Sequence, residues 1–325
     1  MDDATFGLAI ALAAATLRVA APLVLAALGG LLSERAGLID LGLEGKMLIA
    51  AFAAGAVAGV TGSVVPALAA ALAASVALSL IHAYACVSHG GNQVVSGMAL
   101  NILVAGLAPT LGHAWFGKGG QTPALAQSGR FLGLDLPGTA GIGQIPILGP
   151  IYAEVAGGHT LPVYLAALAV PAVAYLVYRT RFGLRLRAAG ENPHALDTAG
   201  VSVAWTRYRA QILCGLLCGL AGAFLSLALS AGFVRDMTAG KGYLALTALI
   251  FGKWKPVPTL LACLLFAFAD ALQTILQGMV FPVIGQIPVQ FIQMLPYVLT
   301  VLLLAGFVGA AHPPRAIGEP FVKDR

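Results

Sequence analysis

The run Thr5–Leu32, TFGLAIALAAATLRVAAPLVLAALGGLL, is interrupted by a single charged side chain, Arg18. A transmembrane helix needs about 20 consecutive, mostly apolar residues, so this run predicts a helix that crosses a bilayer. It is too long for the apolar part of a cleaved signal peptide, and the residues before it, Met1-Asp2-Asp3, are not basic as they are in such a peptide. We therefore expect a first span that is retained.

Apolar runs recur along the whole chain of 325 residues, of which 59% are hydrophobic and 10% charged. An average soluble domain is about 45–50% apolar and about 25% charged, so the composition predicts an integral membrane protein. We expect an all-α, polytopic transmembrane helix bundle that forms a single domain over residues 1–325. Residues 242–253 form a short run, read as a half-helix or a re-entrant segment, so eight to ten spans are expected. The candidate spans are 5–32, 38–60, 64–87, 94–116, 161–178, 209–231, 242–253, 256–278 and 289–309.

The basic side chains are concentrated in the loop 179–209. In membrane proteins Lys and Arg gather in short loops on the cytoplasmic side, so we expect this loop to be cytoplasmic. The Gly- and Pro-rich loop 117–160 is then extracytoplasmic. The same distribution accounts for the net charge of +5, and nucleic acid is not expected as a partner. The arginines of the loop are Arg179, Arg181, Arg185, Arg187, Arg207 and Arg209.

Two stretches of the sequence are alike: Gly37–Gly45, GLIDLGLEG, and Thr238–Leu246, TAGKGYLAL. Each is a glycine-interrupted start of an apolar run. Transporters are often built from repeats, with broken helices near the path of the substrate. The pattern is consistent with an internal repeat of two halves.

Sequence motifs of enzymes are missing. No GxxxxGK[ST] run occurs, so the chain has no phosphate-binding loop of that kind, and the GxSxG and HExxH motifs are absent too. Cys214 and Cys218 stand one helical turn apart without a nearby His, which favours packing residues over metal ligands. We expect no catalytic site, no metal site and no cofactor in this chain. Energy for transport would come from a partner chain or from an ion gradient.

Polar residues within the apolar runs are candidates for a substrate path, because ionisable groups are unfavourable in lipid and usually face the interior of a bundle. Neutral amides can hydrogen-bond a hydroxylated solute. Alternatively, these side chains pair with one another and lock the bundle. Asp40 and Glu44 are spaced to lie on one helix face. The candidate path residues are Asp40, Glu44, Asn92, Gln93, Asn101, Asp270 and Gln273.

The dipeptide Asn192-Pro193 in the basic loop suits the start of a helix, with Pro at the first helical position. Gly200 suits its end. The spacing predicts a short helix over about 194–199 on the cytoplasmic side. Such a capped helix favours a docking role, and the alternative is an ordinary connecting loop.

Four stretches resemble, in order along the chain, motifs of the permeases of bacterial ATP-binding-cassette (ABC) importers. The stretches are Ser33–Gly45, Asn92–Asn101, Gly183–Gly200 and Ala248–Pro256. The resemblance is to the simple-sugar and nucleoside branch, which belongs to the branched-chain amino acid/ribose-type inner-membrane translocators. The GLEG form of the first stretch resembles the nucleoside group more than the ribose group.

This resemblance implies a permease subunit, embedded in the lipid of the bacterial inner membrane, that translocates a nucleoside or a related small polar solute. It implies a second, homologous permease (a heterodimer is expected), a cytoplasmic ABC ATPase that binds ATP and Mg, and an extracytoplasmic solute-binding lipoprotein. The loop 179–209 would then couple to the ATPase. Its candidate coupling residues are Arg185, Arg187, Gly190, Glu191, Asn192, Pro193 and Gly200.

Two alternative functions stay open from the sequence. A secondary transporter driven by an ion gradient would use an acidic residue deep in the bundle, such as Asp270. A permease of the same ABC class could instead carry a simple sugar.

Overall fold

The computed structural model describes residues 3–134, 148–277, 289–294, 298, 301 and 311–323. Seven helices among these residues are long and apolar enough to cross a membrane. The only strand-like pairing in the described part of the chain is a single bridge between Gly133 and Thr160. The expected class, an all-α, multi-pass membrane bundle, is confirmed.

The helices follow one another with short connections. Longer connections among the described residues are the segment 117–134, which contains a 3-10 turn at Gln127–Gly129, and the segment 230–240. Two long helices, α3 and α8 below, continue into π-helical turns at Tyr84–Ser88 and Leu225–Leu229. The helices are α1 (Asp3–Arg35), α2 (Leu43–Thr61), α3 (Val64–Ala83), α4 (Gln93–Phe116), α5 (Leu161–Arg179), α6 (Arg181–Glu191), α7 (Pro193–Thr198), α8 (Val203–Phe224), α9 (Lys241–Phe251), α10 (Pro256–Leu276) and α11 (Val289–Gln293); Leu148–Pro150 and Ile151–Ala156 form a short helical segment before α5.

The second half of α1 lies at the centre of the bundle. Its residues Leu25–Leu28 have no exposed surface, as expected of a helix that is apolar on all sides and therefore buried. It packs against α5, α8, α9 and α10, and these helices share one apolar core. On the other side, α2 packs against α3, α4 and α8.

The connections meet at two ends of the bundle. At one, called the Gly190 end, lie the α1–α2 loop (residues 36–42), α6, α7 and the segment 311–323. At the other, called the Thr122 end, the segment 117–134 is bonded to the chain after α8. There Thr122 N donates to Phe233 O at 3.1 Å.

The predicted spans at 38–60 and 209–231 differ from the helices at their starts. The span expected at 38–60 begins as a helix only at Leu43, because residues 36–42 form a buried loop. The span expected at 209–231 begins earlier, at Val203. The short segment expected at 242–253 is α9, whose 11 residues extend about 16 Å, roughly half of a bilayer core. Most of the span expected at 289–309 lies outside the described residues.

Candidate functional site

A buried ion pair joins the α1–α2 loop to α2. Lys46 Nζ donates to Asp40 Oδ2, and neither side chain has any exposed surface. Lys46 Nζ also donates to Gln211 Oε1 at 2.9 Å, and Gln211 Nε2 donates to Ser33 Oγ at 2.6 Å. Burial alone would raise the pKa of the Asp40 carboxyl, but the charge of Lys46 more than offsets this and holds the pKa below its usual range. The ion pair and its hydrogen bonds therefore fix the loop to α2 and α8.

Side chains from α3 and α4 hold the backbone of the same loop. Ile39 N donates to Gln93 Oε1 at 2.6 Å, and His82 Nε2 lies 3.1 Å from Ile39 O. Because a carbonyl oxygen can only accept, Nε2 carries the ring hydrogen. Asn101 Nδ2 donates to Leu41 O at 2.8 Å, and Asn101 Oδ1 accepts from Gly45 N at 2.8 Å. The buried backbone of the loop thus finds its hydrogen-bond partners in neighbouring helices.

The start of α9 is bound to the start of α2 through Glu44. Glu44 Oε1 accepts from Gly240 N at 2.9 Å, and Glu44 Oε2 accepts from Gly242 N at 2.6 Å. The first N–H groups of a helix lack partners within the helix and carry partial positive charge, so a carboxylate is well suited to this place. The two glycine-interrupted stretches that look alike in the sequence are therefore in direct contact.

Tyr243 presents a polar group beside this junction at the molecular surface. Its hydroxyl oxygen accepts from Asn101 Nδ2 at 2.9 Å, and the side chain is 38% exposed. The hydroxyl donates its own hydrogen to Met98 Sδ, a weak acceptor, at 3.9 Å. Sequence reasoning missed Tyr243. The available signal was its place directly after the Gly-Lys-Gly that starts a short apolar run.

The structure brings four of the seven candidate path residues together. Asp40, Glu44, Gln93 and Asn101 are all buried around the α1–α2 loop. The expectation that Asp40 and Glu44 share a helix face is wrong, because Asp40 precedes α2 and contacts Lys46 whereas Glu44 contacts α9.

The other three candidates are not buried around the α1–α2 loop. Asn92 is exposed at the start of α4, where its Oδ1 accepts from Val95 N at 3.1 Å. Asp270, on α10, is 34% exposed and lies 3.8 Å from Lys241 Nζ. Gln273 is half-buried one turn further along α10. Whether any of the seven contacts a solute stays a prediction.

The helix predicted in the basic loop is present as α7. Asn192 Oδ1 accepts from Ala195 N at 3.0 Å, Pro193 is the first helical residue, and Gly200 follows the helix with a φ of 77°. The residues before α7, which the sequence identified only as a basic segment, are also helical. This helix, α6, is capped by Thr180, whose Oγ1 accepts from Gly183 N at 3.0 Å.

The candidate coupling residues differ in their exposure. Arg185, Glu191 and Asn192 are exposed, and they line a groove of about 380 Å³ together with apolar residues of α6 and α7. Arg187 is half-buried and stacks on the ring of Tyr178, 5.6 Å from its centroid. The apolar residues of the groove are Leu184, Ala188, Ala195, Leu196, Ala199 and Val201.

Gly190 and Pro193 are buried between these exposed residues. A Cβ at Gly190 would collide with the backbone carbonyl of Arg35, so α6 can approach the end of α1 closely only with glycine at this position. Gly190 thus allows α6 to pack against the end of α1, while the groove beside it is open to a partner.

The four cysteines are all buried as free thiols. Cys214 Sγ lies 3.4 Å from Asp40 Oδ2 and 3.8 Å from Lys46 Nζ, so this thiol packs against the ion pair. In the described part of the chain, no group of three or more His, Cys, Asp or Glu side chains is placed to hold a metal ion.

Comparison with known proteins gives consistent relatives over nearly the whole length. Residues 12–310 match the model of the family described as "Branched-chain amino acid transport system / permease component". The guanosine ABC transporter permease protein NupQ of Bacillus subtilis is 38% identical, over 96% of each chain. The nucleoside ABC transporter permease protein NupC of Lactococcus lactis is 36% identical, over 94% of each chain. The putative glucose ABC transporter permease protein TsgC13 of Haloferax volcanii is 37% identical, over 80% of this chain and 75% of its own.

Proposed function

This chain belongs to the family of permease components of branched-chain-amino-acid-type transport systems, and from that membership we propose that it is the membrane subunit of an ABC importer for nucleosides. The observation that carries this proposal is the similarity to NupQ and NupC, which extends over at least 94% of each chain. A simple sugar is the second candidate solute, supported by the similarity to TsgC13.

The partners follow from the same assignment. ATP and Mg bind to a separate cytoplasmic ATPase, because this chain has no phosphate-binding loop. A homologous second permease completes the membrane part as a heterodimer, and a solute-binding lipoprotein delivers the nucleoside from outside. The complex lies in the bacterial inner membrane. The Gly190 end is cytoplasmic and the Thr122 end is extracytoplasmic, which agrees with the concentration of arginines in 179–209.

The groove between α6 and α7 is the docking place of the ATPase. An apolar groove edged by charged side chains accepts a complementary surface and fixes its orientation. Arg185, Glu191 and Asn192 contact the ATPase from this groove. Asn192, Pro193 and Gly200 define α7 as a short rigid unit, while Gly190 and Arg187 position α6.

The solute passes along the face on which α4 and α9 expose Tyr243. Half-helices that start inside a bundle commonly line the path in transporters, and α9 is such a helix. Tyr243 donates its hydroxyl hydrogen to the solute in place of the weak acceptor Met98 Sδ, while its oxygen keeps the hydrogen bond from Asn101 Nδ2. Asp40, Glu44, Gln93 and Asn101 hold the loop that shapes this face. Asp270 and Gln273 line the path further along α10.

The composition of the complex is tested by purifying it through an affinity tag on this chain. We expect an ABC ATPase and a second permease to co-purify, with ATP hydrolysis stimulated by guanosine in the presence of the solute-binding protein. Stimulation by glucose and not by guanosine would assign the sugar role instead. Recovery of this chain alone, with no ATPase bound, would contradict the ABC assignment.

A further inference from the structure

The segment 311–323 lies across the Gly190 end without forming a helix, yet it is bonded to several elements there. Ala316 N donates to Gly190 O, at the end of α6, at 2.8 Å. Two residues later, Gly318 N donates to Gly37 O in the α1–α2 loop at 3.1 Å. This segment, called the C-terminal strap, therefore connects α6 to the loop that carries Asp40.

Arg207 on α8 holds the strap and the α1–α2 loop at the same time. Its Nη1 donates to Glu319 O at 3.3 Å, and its Nε donates to Ala36 O at 3.1 Å. The side chain is 1% exposed. One guanidinium presents several donors in a fixed plane. A displacement of the strap therefore moves Arg207 and, through it, the α1–α2 loop.

The far part of the strap is attached to α7. The ring of Phe321 lies 5.2 Å from the ring of His194 and packs against the apolar cluster of Ala189, Leu196 and Val203. Lys323 Nζ lies 3.7 Å from Asp197 Oδ1, but the Lys323 side chain is 74% exposed, so this ion pair is weak. Phe321 is thus the main anchor of the strap on α7.

Among the described helices, α7 packs closely only against α6 and α8. The strap gives it a second, direct connection to the α1–α2 loop, through Phe321 at one end and Gly318 at the other. The loop in turn is bonded to α4 through Asn101, beside the exposed Tyr243. A continuous series of packed and hydrogen-bonded groups of this kind can carry energetic coupling between two sites.

We propose that the C-terminal strap transmits displacement of α7 to the α1–α2 loop, with Phe321 as the positioning residue of that link. The inference builds on the proposed function, in which the ATPase docks beside α7. Nothing in the strap touches the solute face, so its contribution is to the coupling of ATP hydrolysis to transport and not to recognition of the solute.

The variant Phe321→Ala tests the link, and Val322→Ala is its matched control because Val322 is the next residue and is 73% exposed. Hydrogen exchange of the purified complex is measured first. We expect Phe321→Ala to speed exchange in α7 and also in the α1–α2 loop, and Val322→Ala to change neither. Faster exchange confined to the strap and α7 would overturn the proposal, whatever the complex transports.

The second measurement is guanosine uptake per ATP hydrolysed in proteoliposomes. Residues along a coupling route typically change the coupling by several-fold, so we expect Phe321→Ala to lower this ratio roughly three- to tenfold while KM for guanosine stays unchanged. Loss of uptake and ATPase activity only in proportion to the amount of complex would overturn the proposal. If Phe321→Ala does not reach the membrane, the same two measurements are made on Phe321→Leu and compared with Val322→Ala. A wild-type complex without ATP-driven uptake would contradict the proposed function. The hydrogen-exchange result would still decide whether the strap links α7 to the α1–α2 loop.

Discussion

Glu44 on α2 accepts a 2.6 Å hydrogen bond from the backbone N–H of Gly242 on α9, and the two residues are 198 positions apart in the sequence. Through the same carboxylate, Gly240 N is bound as well. One side chain therefore fixes the start of the half-helix α9 against the start of α2, next to the exposed Tyr243.

Replacing Glu44 is expected to destabilise the protein. Glu44→Ala leaves two N–H groups without acceptors, each costing about 1–3 kcal/mol, whereas Glu44→Gln keeps one acceptor oxygen. Thermal unfolding in detergent should therefore show a larger decrease of Tm for Glu44→Ala than for Glu44→Gln. Glu154→Ala, at an exposed position, is the control and should leave Tm unchanged. Equal Tm values for both Glu44 variants and the wild type would show that the carboxylate does not hold α9.

Tyr243→Phe removes the hydroxyl and keeps the ring. A hydrogen bond of this kind contributes about 0.5–1.5 kcal/mol, so KM for guanosine uptake should rise roughly two- to tenfold while the folded protein stays at its normal level. Tyr175→Phe is a suitable control, since Tyr175 is 64% exposed on α5. An unchanged KM in Tyr243→Phe would remove this residue from the solute path.

Asn101 differs from Tyr243 in that its side-chain amide is fully engaged within the protein. Its amide already bonds Gly45 N, Leu41 O and Tyr243. The sequence predicted Asn101 as a path residue because a neutral amide can hydrogen-bond a hydroxylated solute, but the sequence does not reveal which backbone groups already bond that amide. For the same reason the partners of Asp40 and Glu44 could not be predicted: they are set by contacts between distant helices.

Sequence signals that act over a few residues predicted the helices better than the contacts between them. The long apolar runs predicted the seven long helices, and Asn192-Pro193 with Gly200 predicted α7, because caps and stops act within a few residues. The strap was not predicted, because nothing in the local sequence indicates that Gly318 N donates to Gly37 O.

Ala195→Pro should separate ATP hydrolysis from uptake. Proline removes the N–H that Asn192 Oδ1 accepts, so α7 loses its first-turn cap while the spans are untouched. In the reconstituted complex we expect ATPase activity to persist and guanosine uptake per ATP to fall severalfold. Ala195→Ser keeps the N–H and serves as control. Normal coupling in Ala195→Pro would exclude α7 as the contact that transmits force.

The orientation is checked by labelling single cysteines in whole cells. Ala195 and Ser128 are both exposed, at the Gly190 end and the Thr122 end respectively, whereas the four native cysteines are buried. A membrane-impermeant maleimide should label Ser128→Cys and leave Ala195→Cys unlabelled until the cells are broken. The reverse pattern would invert the proposed topology.

The central claim is ATP-driven nucleoside import, and the most direct test is uptake of radiolabelled guanosine by cells with and without this chain. We expect deletion of its gene to abolish high-affinity uptake and the wild-type chain to restore it. The restored uptake should stop when arsenate depletes ATP, persist when a protonophore collapses the proton gradient at a maintained ATP level, and be unaffected by excess glucose. Uptake that survives ATP depletion but is lost with the gradient would contradict the account and identify a secondary transporter.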